Sequence, residues 1–196
     1  VLVAGSTISR ATLHNQDFIN EKGIRIGDTV IIRKAGDIIP EVLSVVKHEE
    51  NAIPYEMPKF CPSCNSPVHR ENGEAAIRCD NPDCPAQLLR VLIHFCSRDA
   101  MDIEGLGPAV VSLLLEKELI HHPYDLYTLN VYDLASLERM GDKSAQNLIS
   151  AIENSKDNDL YRLIFGLGIR HIGAKAAKLV ADKMQNMDAI LNATAE

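Results

Sequence analysis

Four cysteines stand in two close pairs near the middle of this 196-residue chain. Cys61 and Cys64 form a C-x2-C pair, and after fourteen intervening residues Cys79 and Cys84 form a C-x4-C pair. Prolines and small polar residues flank both pairs and favour tight turns. Thiolates at these spacings can all face one ion and complete the closed tetrahedron that structural zinc prefers. We therefore predict a Zn2+ site whose four protein ligands leave no position for catalysis.

Two disulfides are the alternative use of these cysteines. They would need an oxidising compartment, yet no apolar signal segment precedes them and a fifth cysteine, Cys96, is left over. Cys96 adjoins an apolar helical run at residues 88–95, where a lone cysteine behaves as a small buried hydrophobe. His69 is a possible substitute ligand, but beside four thiolates we expect it to be solvated. These features favour a reduced, cytoplasmic protein.

The charge balance restricts the classes of partner. The formal net charge is −7 and the isoelectric point is near 5.5, which argues against a generic nucleic-acid binder with a basic face. Any binding to nucleic acid must then be local and patterned. No stretch of eighteen apolar residues is present, so we expect no membrane span. The segment 61–84 with its four cysteines, called the finger below, lies between two flanking sequences of different character. We therefore predict three small modules.

Strand signals dominate before the cysteines. Residues 27–37 are rich in β-branched side chains between glycine turns, and residues 38–46 follow as a second strand. Asn15 is expected to cap a helix over residues 16–22, which Gly23 would end in the left-handed conformation. One helix among curved strands suits a small Greek-key barrel. Because 48 residues are too few to close one, and the chain starts in strand-like sequence, we expect the barrel to be cut at its start.

After the cysteines the pattern is helical, and one motif recurs three times. An apolar residue, two variable residues, an apolar residue and glycine stand at residues 103–107, 137–141 and 169–173. The final glycines are 34 and 32 residues apart. Apolar residues recur four and seven positions beyond each glycine, and they are Val111, Ala145, Ala177, Leu114, Leu148 and Val180. The pattern predicts three units of helix, tight hairpin and helix.

The glycine that ends each motif suggests a use for the hairpin. Without a side chain there, the backbone can approach a ligand closely, and the first amides of the following helix have no partner. Such amides favour an anion, but one helix start contributes only about 0.3 to 1 kcal/mol. Several hairpins together could hold a phosphate backbone. Main-chain donors would position the protein on a duplex without recognising its base sequence, and they would not require a basic protein surface.

The order of strand-rich segment, four-cysteine finger and tandem hairpins resembles the bacterial NAD-dependent DNA ligases over essentially the whole chain. The phrases that carry the resemblance are SRATLHN at 9–15, IGDTV at 26–30, KAGDIIP at 34–40, and LERMG with KSAQN within 137–147. The family implies a multidomain fold of α and β elements. Its parts would be the C-terminal part of an OB-fold β-barrel at 1–48, a linker at 49–60, a four-cysteine zinc finger at 61–84, and an all-α helix-hairpin-helix domain at 85–196 with three of an expected four repeats.

The resemblance also implies a reaction. A ligase of this family takes AMP from NAD onto a lysine, passes it to the 5′ phosphate of a nick, and seals the nick with the 3′ hydroxyl. None of the lysines here stands in the K-x-D-G setting used for adenylation, so we assign no catalytic and no cofactor-binding residue. NAD and Mg2+ would serve a preceding part of the enzyme, and we expect the chain alone to be inactive. We also expect the family's sequence to continue past Glu196 through a fourth hairpin and a BRCT domain.

The partner that the resemblance implies is nicked double-stranded DNA in replication and repair, bound mainly through its phosphates. It also implies a cytoplasmic, nucleoid-associated monomer with no membrane contact. In the barrel, the phosphate candidates are Arg10, Arg33 and Lys34. The alternative for these side chains is a solvated strand face balanced by acidic neighbours. Those neighbours are Asp28, Asp37 and Glu41.

In the hairpins, the candidates are the glycines and nearby basic side chains. They are Gly105, Gly107, Gly141, Lys143, Arg170, Gly173 and Lys175. The first hairpin departs from the others, because Pro108 removes an amide donor and Ala109 stands where the lysines would be. Its hold on DNA should be weaker, although Gly105 makes its backbone freer. The alternative is that the glycines serve helix packing alone.

Other functions stay open at this point. The finger is expected to be architectural and to join the barrel to the hairpins, but the same modules could form a stand-alone zinc and hairpin DNA-binding adaptor. A repair nuclease would need a catalytic magnesium site, for which Asp99, Asp102 and Glu104 are the nearest cluster, although acids on one turn are usually solvated. A helical solenoid for peptides would need bulky aromatic residues at regular positions, and the repeated elements are glycines instead.

Overall fold

A computed structural model of the protein describes residues 1–3, 5–36, 39–138 and 140–194. The chain divides into two compact units, Val1–Asn81 and Pro82–Glu196. Three residues used in the sequence predictions, Asp37, Ile38 and Arg139, lie outside the described residues.

The first unit is built from short strands and one helix. Its elements are β1 (Leu2–Val3), β2 (Ser6–Thr7), α1 (Gln16–Lys22), β3 (Arg25–Ile26), β4 (Thr29–Ala35), β5 (Ile39–Lys47), β6 (Ile53–Pro54), β7 (Val68–Arg70) and β8 (Ile77–Cys79). The described strands pair antiparallel as β1 with β2, β3 with β6, β4 with β5, and β7 with β8. The two strands predicted on either side of Gly36 are thus β4 and β5, and they form the longest pair.

Helix α1 begins and ends where its sequence predicts. The Asn15 side chain accepts a hydrogen bond from the Phe18 amide at 2.9 Å, which satisfies one of the free amides of the first turn. Gly23 ends the helix with φ 64°, a left-handed conformation that glycine adopts without strain. Ile19 is 3% exposed and fixes the buried face of the helix.

The first turn of α1 also holds segments that are distant in sequence. The Gln16 side chain donates to the Tyr55 carbonyl at 3.0 Å and accepts from the Met57 amide at 2.8 Å. Next to it, the Asp17 carboxylate accepts two hydrogen bonds from the guanidinium of Arg70 on β7, one of them at 2.7 Å. Residues 53–57 and the β7–β8 hairpin therefore lie against the barrel helix rather than trailing from it.

The second unit is helical. Its elements are α2 (Pro85–Cys96), α3 (Pro108–Glu116), a 3-10 helix (Pro123–Thr128), α4 (Val131–Ala135), α5 (Asp142–Ser155), α6 (Leu160–Gly166), α7 (Ala174–Met184) and α8 (Met187–Leu191). One apolar cluster joins the helices from α2 to α5, with Leu163 of α6 packed against it, and its most deeply buried members are Leu92, Phe95, Val111, Leu114, Ile120, Leu126, Leu134, Ala145 and Ile152. Among the described residues, no helix is long and apolar enough to cross a membrane.

The three predicted helix-hairpin-helix units are present. They are α2 with α3, α4 with α5, and α6 with α7. The apolar positions four and seven residues past each glycine are buried in every case but one, Val180, which is half-buried. The stripe that the sequence predicts is therefore the face with which each second helix packs into the unit.

The third position of the five-residue motif takes a left-handed backbone in two hairpins. Gly105 has φ 92° in the first, and His171 has φ 67° in the third. The turn needs a positive φ whether or not a glycine supplies it, so His171 is held in a conformation that side chains rarely adopt. The equivalent residue of the second hairpin, Arg139, is outside the described part of the chain.

Replacing Gly105 with alanine should destabilise the helical unit. Its positive φ strains any side chain, and an added Cβ would meet Leu148 Cδ1 at 3.4 Å. We expect the free energy of unfolding to fall by about 1 to 2 kcal/mol, measured by urea denaturation followed by far-UV circular dichroism. Gly173→Ser is the matched control, because Gly173 has an extended backbone and open space around it. An equal loss in both variants would contradict this explanation.

Candidate metal centre and anion-binding hairpins

The four cysteines of the sequence motif come together in the fold. The Sγ atoms of Cys61, Cys64, Cys79 and Cys84 all lie within 4.8 Å of one another. A tetrahedral zinc with Zn–S bonds of about 2.3 Å would separate its sulfurs by about 3.8 Å. Four thiols at this distance, with no described acidic or histidine ligand among them, suit a closed zinc site. The set leaves no coordination position for water.

Tight turns bring each pair of thiols to the same place. After Cys61, Asn65 takes a left-handed φ of 57°, and its amide donates to the Cys61 carbonyl at 2.9 Å. The Cys61 amide donates in turn to the Ser66 carbonyl at 2.8 Å. Cys79 ends β8, and Cys84 is the N-cap of α2, with Pro85 in the first turn. The longer C-x4-C gap is thus a turn that leads directly into a helix.

The environment of the thiols has opposite effects on the pKa values of Cys64 and Cys79. Hydrogen bonds from the side chain and the backbone of Ser66 lower the pKa of Cys64 to about 6. Its sulfur lies 3.5 Å from that of Cys79. The Asn81 backbone lowers the pKa of Cys79, but burial and the neighbouring thiols outweigh it and raise that pKa to about 11. Without a cation, one of these two sulfurs therefore keeps its proton, and a bound Zn2+ removes the need for it.

The remaining cysteine and the nearby histidine take no part in the cluster. Cys96 is 4% exposed at the end of α2, and burial raises the pKa of its thiol to about 12, so it is the buried hydrophobe that the sequence predicts. His69 is exposed and its ring pairs with the carboxylate of Asp80.

The repeated glycines share one backbone geometry. Gly107, Gly141 and Gly173 are each the N-cap of the following helix, with φ between −74° and −83° and ψ between 167° and 176°. Their carbonyls accept the first helical hydrogen bonds at 3.0, 3.0 and 2.9 Å. Glycine has no side chain that could accept from the next amides, so these donors are left for a ligand.

Packing does not account for these three glycines. An added Cβ at any of them would meet no described atom within 4 Å, and none has a positive φ. The backbone could therefore carry a side chain at each position as far as the described fold is concerned. What the glycines provide is an open approach to the start of the helix.

The basic candidates of the hairpins are placed unequally. Lys143 and Lys175 are exposed in the first turns of α5 and α7, two residues after their glycines, and Arg170 is exposed at the tip of the third hairpin. In the first hairpin, Pro108 has no amide hydrogen. The amide of Val110 donates to the Gly107 carbonyl at 3.0 Å, which leaves this helix start with fewer donors than the other two.

The basic candidates of the barrel lie on different sides of one sheet. Arg33 and Lys34 are neighbours in β4, so their side chains point to opposite faces. Arg33 donates through Nε to Glu41 at 2.7 Å, whereas the Nζ of Lys34 donates to the Ser6 hydroxyl at 3.1 Å. Arg10 is exposed on the segment that precedes Thr12. One phosphate strand cannot contact Arg33 and Lys34 from the same face.

Known proteins match every part of this architecture. Residues 1–53 match the model of the NAD-dependent DNA ligase OB-fold domain, and residues 60–86 match the NAD-dependent DNA ligase C4 zinc finger domain. Residues 97–154 match a SAM-like helix-hairpin-helix tandem, and residues 162–196 match a helix-hairpin-helix motif. The chain belongs to the NAD-dependent DNA ligase family. Its fold is therefore the predicted combination of OB-fold, zinc finger and helix-hairpin-helix segments.

Curated relatives agree with this assignment. The DNA ligase of Acetivibrio thermocellus is 58% identical over 200 residues, which cover 100% of this chain and 30% of the relative. The DNA ligases of Heliobacterium modesticaldum and Clostridioides difficile are 59% and 54% identical over 198 residues, covering 100% of this chain and 29% of each relative. The chain thus spans about 30% of the length of the ligases it matches.

Removing zinc should unfold the finger of this ligase segment. A finger of this size has too little core to fold alone, and structural zinc contributes on the order of 10 to 16 kcal/mol. We expect one zinc per chain by elemental analysis, none in Cys64→Ala, and one in the control variant Cys96→Ala. Chelation should raise amide hydrogen exchange between Cys61 and Cys84 and leave α5 protected. Unchanged exchange in the metal-free finger would contradict a structural role for zinc.

Proposed function

We propose that this chain is the part of an NAD-dependent DNA ligase that holds nicked duplex DNA by its phosphate backbone. The match to ligase domains and to curated DNA ligases supports the proposal. The parent enzyme would seal nicks in replication and repair, using NAD and Mg2+ at residues outside this sequence. No lysine here stands in a K-x-D-G motif, so we expect no ligation by the chain alone.

The observation that carries the proposal is the set of glycine-capped helix starts. Three glycines share one conformation, have free space above them, and precede helices whose first amides need an acceptor. A phosphate is the ligand that such amides favour, because its negative charge also meets the positive end of the helix dipole. Successive phosphates of a DNA strand could be bound by successive hairpins.

Basic side chains would strengthen two of the three hairpins. Lys143 and Lys175 follow their glycines by two residues, where an ammonium can reach the phosphate that the amides hold. We propose Arg170 as a further contact of the third hairpin. The first hairpin has fewer donors and no lysine at that position, so Gly105 and Gly107 should contribute least.

Main-chain recognition explains how an acidic chain can bind DNA. With a net charge of −7 the protein has no overall attraction to a polyanion. Contacts through amides and a few lysines need only a local positive potential, and they would not distinguish base sequences. We propose that Arg10 and either Arg33 or Lys34 add phosphate contacts from the barrel, the choice depending on which sheet face meets the DNA.

The finger would serve as structure rather than as a catalyst or a base reader. Its four thiolates leave zinc no open position, and it connects the barrel to the hairpin array along the chain. We propose that chelation weakens DNA binding indirectly, through loss of this connection. A monomer in the cytoplasm is the proposed state, since zinc-binding thiols must stay reduced.

Serine at the second and third glycines should separate DNA binding from stability. Serine is a good N-cap, so Gly141→Ser and Gly173→Ser should change the free energy of unfolding by no more than about 0.5 kcal/mol. The new side chain would occupy the approach and accept from the amides itself. We expect each variant to bind DNA about two- to fivefold more weakly by fluorescence anisotropy. Gly107→Ser is the matched control and should lose less.

If all three serine variants bound DNA as well as the unchanged chain, the hairpin amides would not be the phosphate site. If the variants lost DNA affinity in proportion to their loss in free energy of unfolding, the glycines would serve helix packing instead.

The salt dependence of binding should report the number of phosphates held. For about four contacts, the slope of log affinity against log salt should be roughly −3.6, and Lys143→Gln should reduce its magnitude by about 0.9. Nicked duplex should bind more tightly than intact duplex in the same titration. Equal affinity for both with the same slope would favour the stand-alone DNA-binding adaptor. Salt-insensitive binding would exclude a phosphate-directed site.

A further inference from the structure

Three side chains form a row across adjacent segments of the barrel. Arg33 on β4 is directly opposite Glu41 on β5, and its Nε donates to Glu41 Oε1 at 2.7 Å. On the other side of β5, the Nε2 of His14 lies 3.3 Å from Glu41 Oε2. Glu41 is thus a carboxylate shared by two basic groups, one on each flank.

The backbone around Glu41 is well anchored. The Thr12 amide donates to the Pro40 carbonyl at 2.8 Å, and Thr12 pairs with Glu41 in a parallel bridge. The His14 ring packs edge-on against Phe18 of α1, with centroids 4.7 Å apart. Strand pairing on one side and the helix on the other therefore fix where the carboxylate can be.

The two partners differ in exposure. The Glu41 side chain is 13% exposed, whereas that of Arg33 is 59% exposed. The hydrogen bond from Arg33 lowers the pKa of Glu41, so the carboxylate stays charged at neutral pH. Arg33 donates to Glu41 through Nε, and its two terminal nitrogens have no hydrogen-bond acceptor among the described residues. The guanidinium is therefore held at Nε, while the side chain as a whole stays open to solvent.

We propose that Glu41 is a positioning residue, which holds the Arg33 guanidinium by Nε so that its terminal nitrogens are directed at a DNA phosphate. The inference rests on the proposed function, because it needs Arg33 to be a phosphate contact. An arginine that is already oriented loses less side-chain entropy on binding, and two parallel bonds from its fork match phosphate geometry. Of the two faces of the β4–β5 sheet, the one that carries Arg33 and Glu41 would then meet the DNA.

A positioning role and simple electrostatics predict opposite effects of removing Glu41 on DNA affinity. A carboxylate near a phosphate repels it, so removing the charge of Glu41 should strengthen DNA binding if Glu41 does nothing else. The same result is expected if Glu41 merely occupies the place of the phosphate and competes for Arg33. Of these roles, only positioning predicts weaker binding when the acidic residue is removed and the barrel stays folded.

The test measures the affinity of the zinc-loaded chain for nicked duplex by fluorescence anisotropy. Glu41→Ala should bind about three- to tenfold more weakly, the size expected for one impaired charge-assisted contact. Glu41→Gln keeps an oxygen acceptor for Arg33 Nε and should bind at least about threefold more tightly than Glu41→Ala. Glu49→Ala removes the same charge from a residue that contacts Lys47 and Thr29, and it should not weaken binding.

Arg33→Ala separates failure of this inference from failure of the proposed function. It should weaken binding, and Glu41→Ala should cause no further loss in that background. If Arg33→Ala left the affinity unchanged, Arg33 would not be a DNA contact and this inference would fail, whereas the hairpin contacts of the proposed function, and Lys34 on the other sheet face, would be untouched by that result. If Arg33→Ala weakened binding but Glu41→Ala strengthened it, Glu41 would be a competitor and the positioning role would be overturned. Circular dichroism of each variant shows whether the barrel is still folded. If Glu41→Ala unfolds, the affinity of Glu41→Gln is compared with that of the unchanged chain instead.

Discussion

The second helix of each repeat begins with a hydrogen bond that an amide donates to the carbonyl of the glycine four residues before it. It occurs after Gly107, Gly141 and Gly173 at nearly equal length and with nearly equal backbone angles. Because the capping residue has no side chain, each helix starts with open, unsatisfied amides. The apolar stripe that follows buries the opposite side of the helix, with Val111, Ala145 and Ala177 fully buried, so the amide end is left at the surface. The fold and the proposed ligand site are two consequences of the same local geometry.

The zinc site stabilises the chain in a different way. Between Phe60 and Ala86 the polypeptide forms turns and one short hairpin, with too few apolar residues for a core of its own. Four sulfurs around one ion replace that core. The bidentate pair of Asp17 with Arg70 then holds the hairpin of the finger to α1 of the barrel. Ion pairs as exposed as this one contribute little stability, so its value lies in fixing position.

Local signals in the sequence predicted more of this structure than long-range ones. The cap at Asn15, the left-handed Gly23, the four clustered thiols and the three hairpin units all follow from residues a few positions apart. The pairing of Arg33 with Glu41 depends on the register of β4 with β5, which the hairpin turn decides and composition does not reveal. Arg33 and Lys34 were both predicted as phosphate contacts, although neighbours in one strand face opposite sides, because the sequence does not show which face of the sheet meets a ligand. His171 shows a further limit, because the third hairpin takes a positive φ there although the position holds no glycine.

The amides at the starts of α5 and α7 are the proposed phosphate donors, and amide NMR of the zinc-loaded chain tests them most directly. On titration with nicked duplex, the backbone amide signals of Lys143, Ser144, Lys175 and Ala176 should shift strongly, and that of Ala109 should shift less. The reason for the difference is that Pro108 and the bonded Val110 amide leave the first helix start with fewer donors. Saturating DNA that left the amides of α5 and α7 unshifted, while signals elsewhere moved, would contradict the central claim.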